Sequence, residues 1–471
     1  MKKFVMKFGG TSMGDGSGIR HAATIVRDYS KQGNNVVVVV SAMSGTTDKL
    51  ARAGEEAILS NRDSIKSFVK TLQEKHAQAS KDAIHSSEML GNTLALLNEQ
   101  IAELENVLTG ISYLGELTPR SRDYILSFGE KLSTIMMTAV LKDLGSETKY
   151  FLGGECGIVT DSSFGEARPL MSITRQQVKE KIGPITDAGV IAVVTGFVGA
   201  TQEGQTTTLG RGGSDYTAAI LGAALQADEI WLWKNVDGLM TADPKVEPSA
   251  KTISLLSFPE AMEMAYFGAR VIHAKALELS WEREIPIRVR NIQNLDSQGT
   301  LIVQKPNLPS DSVVKAVTVI NSVALVTVSG GGMVGVPGMA ARVFSVIGER
   351  NVNVLMISQS SSETNISFIV PSQSLENVVN ALELSLLGNG LVKEVAHETN
   401  VCIVTMVGAG MKGTPGVAAR VFKAIADQGI NIRMIAQGSS ELSISFVVEE
   451  NHGIHALRAL HKEFRLDSMT V

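Results

Sequence analysis

Cysteine is almost missing from this chain: Cys156 and Cys402 are the two in 471 residues, far apart and at no metal-binding or redox spacing. That excludes a disulfide-built fold and a cysteine-ligated zinc site, and a reducing, cytoplasmic setting is expected. Neither sign of charge dominates, with 43 Lys and Arg against 48 Asp and Glu and a net charge of −5. Without a basic excess, general binding to nucleic acid is not expected. Long apolar runs are absent too. Stretches such as Val36–Val40 fall far short of the ~20 residues that span a bilayer, so no membrane partner is expected. The chain enters a strand-like run at its start, without the pattern of a secretory leader. What remains is an ordinary globular composition, 44% hydrophobic and 19% charged, at a length that suggests about three domains of ~150 residues.

The first dozen residues are the most informative. Phe4-Val5-Met6-Lys7-Phe8 has the unalternating apolar character of a buried parallel strand, interrupted by one lysine. Gly9-Gly10-Thr11-Ser12 follows. Two adjacent glycines let the backbone turn tightly and present N–H groups to an anion, and Lys7 adds a point charge that suits phosphate. The lysine precedes the glycines, so this is not a Walker A loop. A strand feeding a phosphate cradle is expected; a strand that merely ends in a turn is the simpler alternative.

Residues 4–50 continue as strand, turn, helix (Ile19–Gln32) and buried strand (Val36–Val40), ending in Ser41-Ala42-Met43-Ser44-Gly45-Thr46-Thr47. Open α/β sheets place ligands at such carboxyl ends of strands. Residues 50–145 are helix-periodic with little glycine, which predicts a helical layer. Strand-like runs return at Ile191–Thr195, Glu229–Trp233 and Ile285–Arg290, alternating with helices. The alternation predicts a mostly parallel sheet with helices on both faces.

Near Asp296–Ser312, Ser, Gly, Asn and Pro cluster as in a linker. Beyond it Gly332–Val370 aligns without gaps to Gly410–Val448, with roughly 22 of about 39 positions identical. Each copy reads strand, Gly-Pro-Gly turn, helix, strand, Gln-x-Ser-Ser-Glu turn, strand, helix, the order of a split βαβ, ferredoxin-like unit. The first copy has Leu391–His397 to close its sheet, whereas the second has only Arg465–Val471 left. The unassigned strand Val313–Ile320 is therefore expected to complete the second unit, with the first inserted into it.

A second glycine-rich loop, Leu209-Gly210-Arg211-Gly212-Gly213-Ser214-Asp215, opens a helix over Tyr216–Leu225. Ser-Asp there could be a simple N-cap. An arginine that can hold a carboxylate bidentately, beside an aspartate that can orient a lysine, exceeds what a cap needs. Ser127-Phe128-Gly129-Glu130, after Arg122-Asp123-Tyr124, places a glutamate at a helix start or interior, where a solvated face is the usual explanation. Trp233-Lys234-Asn235-Val236-Asp237-Gly238 follows a buried strand and fits either nucleotide binding or an Asp-Gly turn. Gly408-x-Gly410-x-x-Gly413 and Gly330-x-Gly332-x-x-Gly335 match the dinucleotide fingerprint. Both lie in repeats too short for a Rossmann half, with Asn353 and Asn431 where the acidic residue belongs, so the NAD reading is rejected.

Lys7-Phe8-Gly9-Gly10-Thr11-Ser12, Leu209–Asp215, Ser127–Glu130 and the paired repeats together resemble the aspartate kinases along essentially the whole chain. The resemblance implies an α/β fold: an amino-acid-kinase αβα three-layer domain with a mostly parallel sheet over 1–300, followed by two ferredoxin-like ACT units. These would be 321–398 (inserted) and 311–320 plus 399–471. The length matches the monofunctional form. By the same resemblance Lys7 and Asp215 would be catalytic, and Ser41, Thr47, Glu130, Arg211 and Ser214 would bind aspartate. Lys7, Gly9, Gly10, Lys234, Asn235, Met240, Lys245 and Arg270 would face ATP, bound with Mg²⁺. Family members commonly have Thr-Asp at Lys234-Asn235, an aromatic at Met240, arginine at Lys245 and lysine at Arg270, so the nucleotide side departs most. Asn353, Gln359, Ser362, Asn431 and Gln437 would serve an amino-acid effector, threonine expected and lysine the alternative. Association through the ACT units would give a homodimer or a tetramer. Another amino-acid kinase, or a catalytically weak amino-acid-binding regulator, stays open as an alternative.

Overall fold

The computed structural model describes residues 2–59, 62–267, 271–306 and 313–468. They form two compact units, the first from the described residues of 2–239, 254–258 and 271–306, the second from those of 240–253, 259–267 and 313–468. Among the described residues no helix is long and apolar enough to cross a membrane.

The first unit begins β1 (Lys3–Phe8), α1 (Gly16–Lys31) and β2 (Asn35–Val40), followed by four helices: α2 (Thr46–Ala57), α3 (Arg62–Ala83), α4 (Ser87–Leu114) and α5 (Pro119–Asp143). The chain returns through β3 (Thr148–Phe151), α6 (Met171–Asp187) and β4 (Ile191–Thr195). A small hairpin of β5 (Val198–Ala200) and β6 (Thr206–Thr208) leads into α7 (Gly213–Leu225) and β7 (Glu229–Lys234). The unit also holds β8 (Leu255–Ser257) and, past α8 (Phe258–Tyr266), α9 (Ala274–Glu282), β9 (Ile287–Asn291) and β10 (Thr300–Val303).

Its eight-stranded sheet runs β3-β4-β2-β1-β7-β9-β10-β8 and is parallel except where β9 meets β10. The all-buried NVVVVV of β2 is the apolar run such a central strand needs. In α1, Ile19, Ala22, Ala23 and Val26 recur at helical spacing and are buried, and the Asp15 side chain caps the helix by accepting from Gly18 N at 2.8 Å. Thr118 and Pro119 open α5 as cap and first residue, and from Ser127 to Leu141 that helix is buried throughout.

The second unit is built on β11 (Ala316–Ser329), α10 (Met339–Glu349), β12 (Met356–Gln359), β13 (Asn365–Pro371), α11 (Leu375–Leu386) and β14 (Glu394–Val407). It continues with α12 (Val417–Ala426), β15 (Met434–Ala436), β16 (Ser443–Glu449) and α13 (Gly453–Glu463). The sheet order is β12-β13-β11-β14-β16-β15, antiparallel throughout. β11 and β14 each serve both repeats. Val323–Ser329 pairs with β13 and Leu325–Ser329 with Glu394–Glu398, whereas Ala316–Ile320 pairs with Ile403–Val407, beside β16. The register slips between Ile320 and Leu325, where β11 passes from one repeat to the other. Each repeat packs its own two helices on the sheet. On the opposite face, Val323, Leu325, Ile369, Val401, Ile403 and Val447 form a further apolar cluster.

Residues 240–253 pack with the second unit: Val317 N donates to Thr241 O (2.8 Å), Thr241 Oγ1 meets His461 Nε2 (3.0 Å), and Ala242 and Ala250 join the core of Val317, Val404 and Leu457. Glu260 in α8 accepts from Lys315 Nζ (2.9 Å) and Ala409 N (2.8 Å), again within this unit. Ala242 and Ala250 thus lie in the core of the second unit.

Candidate active site

Parallel pairing of β1 with β7 sets Lys7 opposite Leu232 and Phe8 opposite Trp233. Alternation then divides the two strands by face. The rings of Phe8 and Trp233 stack on one side, 6.0 Å apart and 2° from parallel. Lys7 and Lys234 project to the other, where Asp215 enters from the first turn of α7. The Lys7 ammonium lies 2.5 Å from Asp215 Oδ1, and Lys234 Nζ lies 2.9 Å from Oδ2. Lys7 and Asp215 are buried, and Lys234 nearly so.

Burial drives the Lys7 ammonium down to about 8 against the pull of Asp215, with Lys234 lowering it further. Burial alone would raise the Asp215 carboxyl, but the two ammoniums beside it bring it down to about 2. Two cations around one anion leave a surplus positive charge in a desolvated site, which an anionic ligand would offset. Gly9 and Gly10 follow directly on β1; a Cβ on Gly9 would lie 3.7 Å from Lys7 Nζ.

The helical side is built differently. Ser41, at the end of β2, donates its N–H to Phe8 O (3.1 Å), which holds the Ser41–Thr47 loop beside the end of β1. Glu130, in the buried stretch of α5, accepts from Ala42 N at 3.1 Å through Oε1, while Oε2 is buried with no hydrogen-bond partner among the described residues. Burial pushes this carboxyl up to about 8, against the Ala42 hydrogen bond and the nearby Lys7 charge. The approach depends on Gly129, where a Cβ would come within 2.7 Å of Ala42 Cβ. Thr47 is half-buried in the first turn of α2, and Ser214 is buried in that of α7. Arg211 is exposed on the glycine-rich loop and makes no ion pair among the described residues.

Asn235 is exposed, and Asp237 beyond it is tied down by Asn291 Nδ2 (2.9 Å) and Asn294 Nδ2 (3.2 Å). Met240 and Lys245 belong to the second unit, and Arg270 lies outside the described residues. Asn353, exposed, donates to Tyr266 OH (3.4 Å); Gln359 ends β12; Ser362 Oγ bonds Ser360 Oγ (3.1 Å) and Thr364 Oγ1 (2.8 Å). Asn431 and Gln437 are exposed at either end of the β15 segment in the other repeat.

Three participants went unrecognised in the sequence. Lys75 in α3 donates to Ser44 O (2.7 Å) and Thr46 Oγ1 (3.1 Å), supporting the Ser41–Thr47 loop. His273, the N-cap of α9, fills the space beside Gly212, whose φ of 71° and missing side chain the contact requires. Asp123 in α5 accepts from Gly165 N (2.9 Å), Thr208 N (2.8 Å) and Thr208 Oγ1 (2.8 Å). Asp123 alone left a trace, standing seven residues before Glu130 and so on the same face of one helix.

A family model described as the amino acid kinase family matches residues 2–291, and an ACT domain model matches 326–386 and 404–464. Aspartokinase 3, chloroplastic, of Arabidopsis thaliana is 34% identical over 476 residues, covering 98% of this chain and 81% of that protein. The bifunctional aspartokinase/homoserine dehydrogenase 1, chloroplastic, of the same plant is 36% identical over 475 residues, covering 99% of this chain. This chain spans about half (51%) of that relative's length. The crystal structure of E. coli aspartokinase III in complex with aspartate and ADP superimposes with a TM-score of 0.81 at 26% identity, over 98% of this chain and 99% of that one. A family model that covers more than half of the residues, and relatives alike along nearly all of them, place this chain in the amino acid kinase family, among the aspartokinases.

Proposed function

We propose that this chain is an ATP-dependent aspartate kinase, moving the γ-phosphoryl group of ATP to the β-carboxylate of L-aspartate to give 4-phospho-L-aspartate. That product would enter the biosynthesis of lysine, threonine and methionine. The observation that carries the proposal is the buried Lys7–Asp215–Lys234 cluster, with its surplus positive charge, near the unpartnered Glu130 oxygen. One half suits phosphate and the other an ammonium group. The fold shared with the aspartate- and ADP-bound E. coli enzyme supports the same assignment.

The acceptor carboxylate is already ionised at pH 7, so no strong general base is needed. The work is in-line positioning and cancellation of charge between two anions. Lys7, Lys234 and the Gly9 and Gly10 N–H groups would neutralise the transferring phosphoryl group, with Asp215 holding both lysines. Arg211 would take the α-carboxylate of aspartate and Glu130 its ammonium group, with Ser41, Thr47 and Ser214 lining the pocket. Mg²⁺ bound to ATP would add charge neutralisation at the phosphates. Asn235, Met240, Lys245 and Arg270 are assigned to the nucleotide side on resemblance alone.

The second unit would be regulatory, an inserted ACT unit of 321–398 and a second of 311–320 plus 399–471; the pairing of Ala316–Ile320 with β14 supports that division. Threonine is the effector we assign to Asn353, Gln359 and Ser362, with Asn431 and Gln437 as the second copy's counterparts, in a homodimer. A lysine- and aspartate-bound E. coli aspartokinase III, with the same fold, supports an amino-acid effector of some kind. ADP release with Mg-ATP and aspartate, in the presence of threonine, lysine or methionine, tests both levels. No turnover of aspartate overturns the activity, and indifference to threonine overturns the effector. Aspartate binding without ADP release would instead indicate a non-catalytic binder.

A further inference from the structure

Resting on the aspartate pocket just proposed, we infer that Asp123 is a positioning residue that fixes the glycine-rich loop carrying Arg211 at a set distance from Glu130. Asp123 is fully buried in α5, and its carboxylate receives three donors from two separate chain segments. Thr208 supplies two of them and ends β6, three residues before Arg211. Gly165 supplies the third from the 161–168 turn, which is joined to the same strand by the Ala167 N to Thr208 O hydrogen bond (2.9 Å). The turn also backs the loop, since a Cβ on Gly210 would meet Glu166 and Gly165 O at 3.2 and 3.3 Å.

Two helical turns further along α5, on the same face, Glu130 receives Ala42 N. One rigid helix thus grips both loops proposed to hold the amino acid, at points roughly 10 Å apart along its axis at 1.5 Å per residue. A buried carboxylate is a poor choice for stability alone, because its desolvation cost largely consumes what its hydrogen bonds return. What it delivers is a fixed geometry: three donors aimed at two oxygens leave the loop little freedom.

The test is Asp123→Asn in the full chain. Asparagine keeps the shape but turns an NH₂ toward a former donor. Steady-state kinetics should show the KM for aspartate rising tenfold or more, with the KM for ATP within twofold of the original. Hydrogen exchange, which needs no substrate, should accelerate in 162–168 and 206–212 while β1 and β7 keep their protection. Thr208→Val, which removes one donor and leaves the carboxylate, should shift the aspartate KM in the same direction by a few-fold. It decides the matter if the asparagine variant does not fold. Equal rises in both KM values, or an unchanged aspartate KM with only a lower Tm, would overturn the assignment. If the unaltered chain fails to phosphorylate aspartate, the functional proposal falls on its own, and loop exchange still tests the anchoring by Asp123.

Discussion

On the strand side of the candidate pocket each buried charge has its partner in place, whereas on the helix side Glu130 keeps a carboxylate oxygen buried and unpaired. Lys7, Asp215 and Lys234 hold one another in place, so a phosphate placed there would meet a geometry already set. Glu130 is held too, by Gly129 and the Ala42 N–H, yet burial suppresses its charge. One side is preorganised in position and charge; the other is preorganised in position alone.

Lys7→Ala attacks the finished side and should have the largest effect. kcat should fall by about three orders of magnitude, as removal of a preorganised charge in a closed site typically does, while calorimetry still shows aspartate binding. Retained turnover would mean that Lys234 alone suffices and that the two sides are less distinct than drawn. Glu130→Gln attacks the unfinished side. Loss of a charge-assisted hydrogen bond of about 2–3 kcal/mol should raise the KM for aspartate roughly 100-fold and leave the KM for ATP unchanged. A loss shared by both substrates would dissolve the contrast.

Lys234→Thr sharpens the comparison within the strand side. kcat/KM for ATP should fall about tenfold, on the order of one charge contact. The alkaline limb of the profile should also move. With Lys7 titrating at about 8, activity should be lost as pH rises through that value; removing the neighbouring cation that lowers it should carry the limb to higher pH. An unmoved limb would assign it to another group. The smallest signal is a proton. Glu130, at about 8, is mostly protonated in the empty pocket at pH 7, and an incoming ammonium group favours its carboxylate. Aspartate binding should therefore release protons, read by calorimetry in buffers of different ionisation enthalpy, and Glu130→Gln should abolish that release.

What was legible in the sequence was what a single segment could say. Lys7 with its glycines, and Arg211 through Asp215, are local motifs, and the strand and helix periodicities marked the elements that carry them. The repeat was legible because identity at a fixed spacing needs no structure. Partnerships across the chain were not. Asp123 meets Thr208 at a separation of 85 residues, and Lys75 reaches back 31 residues to Ser44, with no local pattern to announce either. Lys234 stood in a motif associated with nucleotide, but only the register of β1 against β7 shows that it faces Asp215. The apolar residues of 240–253 were visible as apolar; which core they join is a tertiary fact.

The shared strands of the second unit also set a timetable for its assembly on the ribosome. Ala316 pairs with Val407, so the leading half of β11 emerges about 90 residues ahead of its neighbour, some 5–20 s at ordinary rates of synthesis. The trailing half finds β13 sooner, since Ser329 pairs with Asn365. The inserted repeat can therefore close first, with the leading half of β11 held as an open edge until the second repeat is made. A pause in translation between residues 330 and 400 would lengthen that exposure, and the nascent chain would be most prone to aggregate there.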